Sequence, residues 1–66
     1  MNNKIDWLNE KDEYISKFIE EGMVLAWLSL DATIEEIYLV CRKRGMDNTI
    51  RYSEFADVFM LIAEHI

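Results

Sequence analysis

The sequence predicts an all-α fold, a small three-helix domain in which a longer N-terminal helix packs on a helix-loop-helix pair. Three observations predict it. There is no proline and there are only two glycines, Gly22 and Gly45, so the chain lacks the punctuation that frequent turns require. Apolar residues recur at helical spacing in three stretches. Two of those stretches open on residues suited to cap a helix, Thr33 and Ser53.

The first helix is expected to begin near Lys4 or Asp6. Ile5, Leu8, Ile15, Ile19 and Met23 fall within one wide stripe, with Phe18 beside it and Asp6, Glu13, Lys17 and Glu20 opposite. Asp12 interrupts the stripe and is a place where the helix can restart. Gly22 falls on the apolar side, where it either ends the helix or admits a second backbone at close range. Methionine, leucine and alanine are good helix formers, so continuation to about Ser29 is preferred. The alternative is an α+β fold in which residues 23–30 form a short buried strand, which Val24 and Trp27 permit.

Asp31-Ala32-Thr33 reads as a break and a cap. Thr33 followed by Glu36 matches a capping box, in which each side chain satisfies a free backbone amide of the other. The second helix then buries Ile34, Ile37, Tyr38 and Cys41. Arg42, Lys43 and Arg44 complement its negative end, and Gly45 stands just past it. After a loop over residues 46–52, Ser53 is the expected cap of the third helix, with Glu54 and Asp57 in its first turn. Phe55, Phe59, Ile62, Ala63 and Ile66 form its buried face.

A chain of 66 residues is expected to be one domain, 1–66. A core this small supplies roughly 3–5 kcal/mol, and such domains usually add a disulfide, a metal or a partner. Cys41 is the only cysteine, which excludes an intrachain disulfide and points to a reducing, cytoplasmic setting. Its expected role is that of a small buried apolar residue. His65 is the only histidine, and with Cys41 alone it cannot complete a zinc site, so no metal or other cofactor is expected. No apolar run approaches the ~20 residues of a membrane-spanning helix. Association remains, most simply as a homodimer.

Charge narrows the partner. Residues 1–36 hold nine acids and three lysines, a net of −6, while residues 37–66 hold four of each. An acid-rich half disfavours nucleic acid, whose binders carry a basic footprint, and disfavours an anionic membrane. No glycine-rich phosphate loop and no nucleophile beside a base marks a reaction, so the chain is not expected to be an enzyme.

Residues Ile50 to Phe55, Ile-Arg-Tyr-Ser-Glu-Phe, resemble the end of an EF-hand loop and its exit helix, and Thr33–Arg44 resembles the entry helix. In the matching register, however, the first and third ligand positions are Lys43 and Gly45, and Asn48 replaces the turn glycine. Only Asp47 and Glu54 remain as side-chain ligands, too few for the six to eight oxygens of calcium. The resemblance therefore implies a helix pair without calcium binding.

The informative signal is apolar residues on faces that a monomer would make polar. Val24 lies opposite the first stripe, flanked by Trp27 and Leu28. Leu39 lies opposite Ile37 and Cys41, and Leu61 opposite Phe59. Together Val24, Trp27, Leu28, Leu39 and Leu61 form the expected partner-binding patch, with Trp27 as its anchor. Glu13 and Glu20 form an accompanying acidic contact face. The expected function is that of a protein-protein interaction module, an inhibitor or adaptor docking on a larger protein. Small acidic chains of this type resemble accessory or phage-type host-directed inhibitors. The alternative is a dimeric nucleic-acid-binding regulator that contacts phosphates through Arg42, Lys43, Arg44 and Arg51.

Overall fold

The computed structural model describes residues 9–66. All regular structure there is helical: α1 (Glu10–Ser16), α2 (Glu21–Leu28), α3 (Ile34–Lys43) and α4 (Tyr52–Ala63). There are four helices where three were expected. The segment offered as a strand, residues 23–30, is mostly the helix α2 and its C-terminal turn. The expected contributions of Ile5 and Leu8 lie outside the described residues.

The extra helix arises because the long N-terminal helix is broken. The break answers a geometric conflict. Ile15 and Val24 are nine residues apart, which on one helix places them about 180° apart. A single straight helix would have to leave one of them in water. Instead α1 unwinds through three successive i to i−3 bonds, from the amides of Lys17, Phe18 and Ile19 to the carbonyls of Tyr14, Ile15 and Ser16. Glu20 is then extended, at φ −88° and ψ 151°, and α2 sets off in a new direction. Both Ile15 and Val24 are fully buried as a result, and Ile19 joins them. Val24, placed by its sequence spacing on an outward face, is therefore core.

Each helix start has a local cause. Asn9 caps α1, its side-chain oxygen accepting from the Asp12 amide at 2.7 Å. Asp12 thus sits in the first turn of a helix, which accounts for its place in the apolar stripe. The Thr33–Glu36 capping box is present in both directions, at 3.0 and 3.1 Å. α4 begins two residues earlier than expected. Arg51 rather than Ser53 occupies the cap position, and the Glu54 carboxylate accepts from the Arg51 amide at 2.9 Å. Gly22 stands exposed in the first turn of α2, and a Cβ added there would meet nothing within 4 Å. It neither ends a helix nor admits a close neighbour.

The core gathers Ile15, Ile19, Val24, Ile37, Tyr38, Cys41, Met46, Ile50, Phe55, Val58 and Phe59. α4 is its centre. The principal helix pairs are α1 with α4 and α3 with α4, while α2 belongs to neither. Aromatic rings line the seam: Phe55 contacts Tyr38 and Phe59, and Trp27 from α2 meets Phe59 edge-on at 5.2 Å. The loop between α3 and α4 is pinned from both sides. The Tyr38 hydroxyl donates to the Ile50 carbonyl, and the Asp47 amide donates to the Tyr14 hydroxyl at 2.8 Å. Ile66, expected on the buried face of the last helix, is half exposed beyond its end, and Ile62 and Ala63 are partly buried.

Candidate interaction surface

Six successive residues of α2 are apolar, and Glu21, in its first turn, lies on the same side as Leu25 and Leu28. Met23, Val24, Leu25, Ala26, Trp27 and Leu28 cover the full turn of the helix at 3.6-residue spacing. Only part of that surface is covered. Val24 is buried and Trp27 leans on Phe59, but Leu25 is 50% exposed and Leu28 is 52% exposed. Leu25 and Leu28 are three residues apart and so share a side of the helix. Leu30, two residues further on, is 89% exposed. These three leucines follow one another along the outer side and end of α2. The expected patch included only Leu28 of the three. Its signal in the sequence was the absence of any polar residue from Met23 to Leu28.

The remaining residues of the expected patch are dispersed. Leu39 is half exposed on α3, among Glu35, Glu36, Arg42 and Lys43, with Val40 exposed beside it. Leu61 is partly buried on α4. Trp27 is partly buried through its contact with Phe59, so it contributes to the fold as well as to the surface.

The acidic face is divided by the helix break. Glu13 is on α1, partly buried, whereas Glu20 precedes α2 and is exposed. Glu20 is also engaged, since its carboxylate pairs with Arg44 at 2.7 Å. That pair uses one of the four cations of the phosphate-binding alternative. A second, Arg42, lies over the Tyr38 ring at 5.6 Å from its centroid. Lys43 and Arg51 are exposed.

An open cleft of about 570 Å³ lies where the start of α1 faces α4, lined by Asn9, Glu10, Lys11, Asp12, Glu54 and Asp57. Three of these six side chains are committed within the fold. Lys11 pairs with Glu54 at 2.7 Å and Asn9 caps α1. The Lys11 ammonium, with the Arg51 amide, holds the Glu54 carboxyl below its ordinary value. The Asp47 carboxyl is likewise lowered, by the amide and hydroxyl of Thr49, which both donate to it. The two carboxylates of the calcium-loop resemblance are thus tied to different internal partners. Among the described residues no three histidine, cysteine or acidic side chains are grouped to hold a metal ion. The Cys41 thiol is fully buried, donates to the Phe18 carbonyl at 3.3 Å, and is pushed up in pKa by that burial.

No protein-family model, curated protein or solved structure matches this chain. No helix among the described residues is long and apolar enough to cross a membrane.

Proposed function

We propose that this chain is a protein-protein interaction module, an inhibitor or adaptor that docks on a larger protein through the outer side of α2. One observation carries the reading. Met23 to Leu28 of α2 are all apolar, yet the fold covers only the side bearing Val24 and Trp27, leaving Leu25, Leu28 and, past the helix end, Leu30 in water, with Glu21 at the edge of the same surface. A single exposed leucine needs no account, but two on one side of a short helix and a third in the turn that ends it mark a contact surface. The acidic balance of the chain, −6, directs that surface away from nucleic acid.

The test compares the wild-type chain with the double variant Leu25→Ser, Leu28→Ser. Both side chains are half exposed, so the variant should keep its helical circular dichroism. Each is tagged and used to recover partners from a nuclease-treated lysate of the source cell, and native mass is determined by light scattering. A large protein recovered in stoichiometric yield by the wild type and lost by the variant is the expected result. Recovery of the same material by both chains removes α2 as the contact surface. Recovery of the bait alone, as a dimer that the variant dissolves, makes the surface a homodimer interface.

A further inference from the structure

α2 and α3 end in the same backbone motif with different side chains. After α3, Gly45 turns through φ +110°, its amide donates to the Arg42 carbonyl, and the Met46 amide donates to the Cys41 carbonyl, both at 3.1 Å. After α2, Leu30 turns through φ +69°, its amide donates to the Trp27 carbonyl at 2.9 Å, and the Asp31 amide donates to the Ala26 carbonyl at 3.2 Å. Both are Schellman motifs, which favour glycine at the left-handed position and an apolar contact from the residue after it. α3 has both features, since Met46 is buried. α2 has neither. A leucine occupies the left-handed position, where its Cβ crowds the following carbonyl. Asp31 takes the place of Met46. Leu30 is the one non-glycine residue at positive φ among those described, and its side chain is 89% exposed. It costs the fold conformational energy and returns no packing. Residues that break local rules in this way are characteristic of binding sites.

The electrostatics of this helix end define what fits it. The last turn of α2 holds no cation, and the helix presents its negative pole there. Asp31 adds a negative charge, with the Ser29 hydroxyl at 3.1 Å shared with the Ala26 carbonyl and no cation paired to it among the described residues. The end of α3, by contrast, carries Arg42, Lys43 and Arg44. A second copy of the chain is a poor occupant. An isologous contact through α2 would bring Glu21 and Asp31 against the same acids of the other copy.

Resting on the reading of α2 as the contact surface, we propose that Leu30 is the knob of that surface and that it enters an apolar pocket rimmed by lysine or arginine on a partner protein. Two backbone hydrogen bonds fix the residue before contact, so little conformational freedom is lost on docking. Asp31 and the negative pole of the helix meet the rim cations.

The probe is a synthetic amphipathic helical peptide with a leucine face flanked by lysines, alongside the same peptide with glutamate in place of lysine. Binding is followed by calorimetry and by amide shifts. The expected result is binding of the lysine peptide only, with shifts centred on residues 25–31. Leu30→Gly should weaken it about tenfold or more, while raising Tm by about 4 °C because glycine suits the turn. A variant that is more stable and binds less cannot be explained by misfolding. Asp31→Asn should weaken binding and flatten its salt dependence. The proposal is overturned if neither peptide binds at about 1 mM, if shifts centre on Glu10–Glu13, or if Leu30→Gly and Asp31→Asn bind as the wild type does. Equal binding of both peptides, lost in Leu25→Ser, Leu28→Ser, leaves the α2 surface standing and removes its basic partner. A wild-type dimer in sedimentation equilibrium that becomes a monomer in Leu30→Gly assigns the surface to a second copy instead.

Discussion

Two glycines that look alike in the sequence have opposite roles. Gly45 sits at φ +110°, in the left-handed region that L side chains rarely adopt. Gly22 is an ordinary helical residue with open space around its missing Cβ. Alanine should therefore act in opposite directions at the two sites. Gly22→Ala is expected to stabilise by about 0.5 kcal/mol, by reducing the freedom of the unfolded chain and adding helix propensity. Gly45→Ala is expected to destabilise by about 1 kcal/mol or more, since a Cβ is strained there whatever the space. Urea midpoints of the two variants, compared with wild type, check the pair. Equal shifts of one sign would show that the two backbone conformations do not differ as described. The Gly45 role was legible in the sequence, because Arg42, Lys43 and Arg44 immediately before it mark a helix end. The Leu30 turn was not legible, because nothing in Trp-Leu-Ser-Leu-Asp suggests a left-handed residue.

At the level of elements, the helices with self-contained signals were read correctly and the others were not. α3 carries its own cap, a clear apolar face and a cationic end, and it runs from Ile34 to Lys43 as its residues indicate. α4 shows the same clarity over Phe55 and Phe59, although the buried Val58 was missed and its cap proved to be a backbone-to-carboxylate bond at Arg51 and not Ser53. The N-terminal stretch misled because its break contains neither glycine nor proline. Lys17-Phe18-Ile19-Glu20 has no local reason to stop being helical, and the reason is tertiary. The conflict between Ile15 and Val24 was visible in the spacing, but it admits two answers, an exposed valine or a broken helix. Burial separates them energetically. Val24→Ala should cost about 2 kcal/mol through lost burial and the cavity left behind. Leu28→Ser, four residues on and half exposed, should change stability by less than about 0.5 kcal/mol. Thermal unfolding of both variants tests the assignment, and similar small losses would put Val24 back at the surface.

At the scale of the molecule, two surface ion pairs among the described residues join separate elements. Lys11 with Glu54 ties α1 to α4, and Arg44 with Glu20 ties the end of α3 to the start of α2. Each is exposed and screened by water, so neither is a large source of stability in itself. Neither was legible in the sequence. The partners are 43 and 24 positions apart, and a charge pattern records no such distance. Their consequence is a pH dependence with a definite sign. Lys11 foremost, with the Arg51 amide, holds the Glu54 carboxyl below its ordinary value of 4.5. The Thr49 amide and hydroxyl hold Asp47 below 3.8. In both cases the unfolded chain binds protons more readily than the folded one. Their contribution is therefore complete above the unfolded values and disappears as pH falls through the lower folded values. Stability should be level near neutrality and decline from about pH 4.5 downward. Glu54→Gln isolates one of the two groups, because the amide oxygen can still accept from the Arg51 amide as a capping-box residue. The variant should lose less on acidification than wild type and should be less sensitive to added salt at neutral pH. Urea midpoints recorded from neutral pH to about pH 3 supply the comparison. An unchanged acid slope in Glu54→Gln would mean that the Lys11–Glu54 pair does not persist in solution, and that α1 is held on α4 by Ile15 and its apolar neighbours alone.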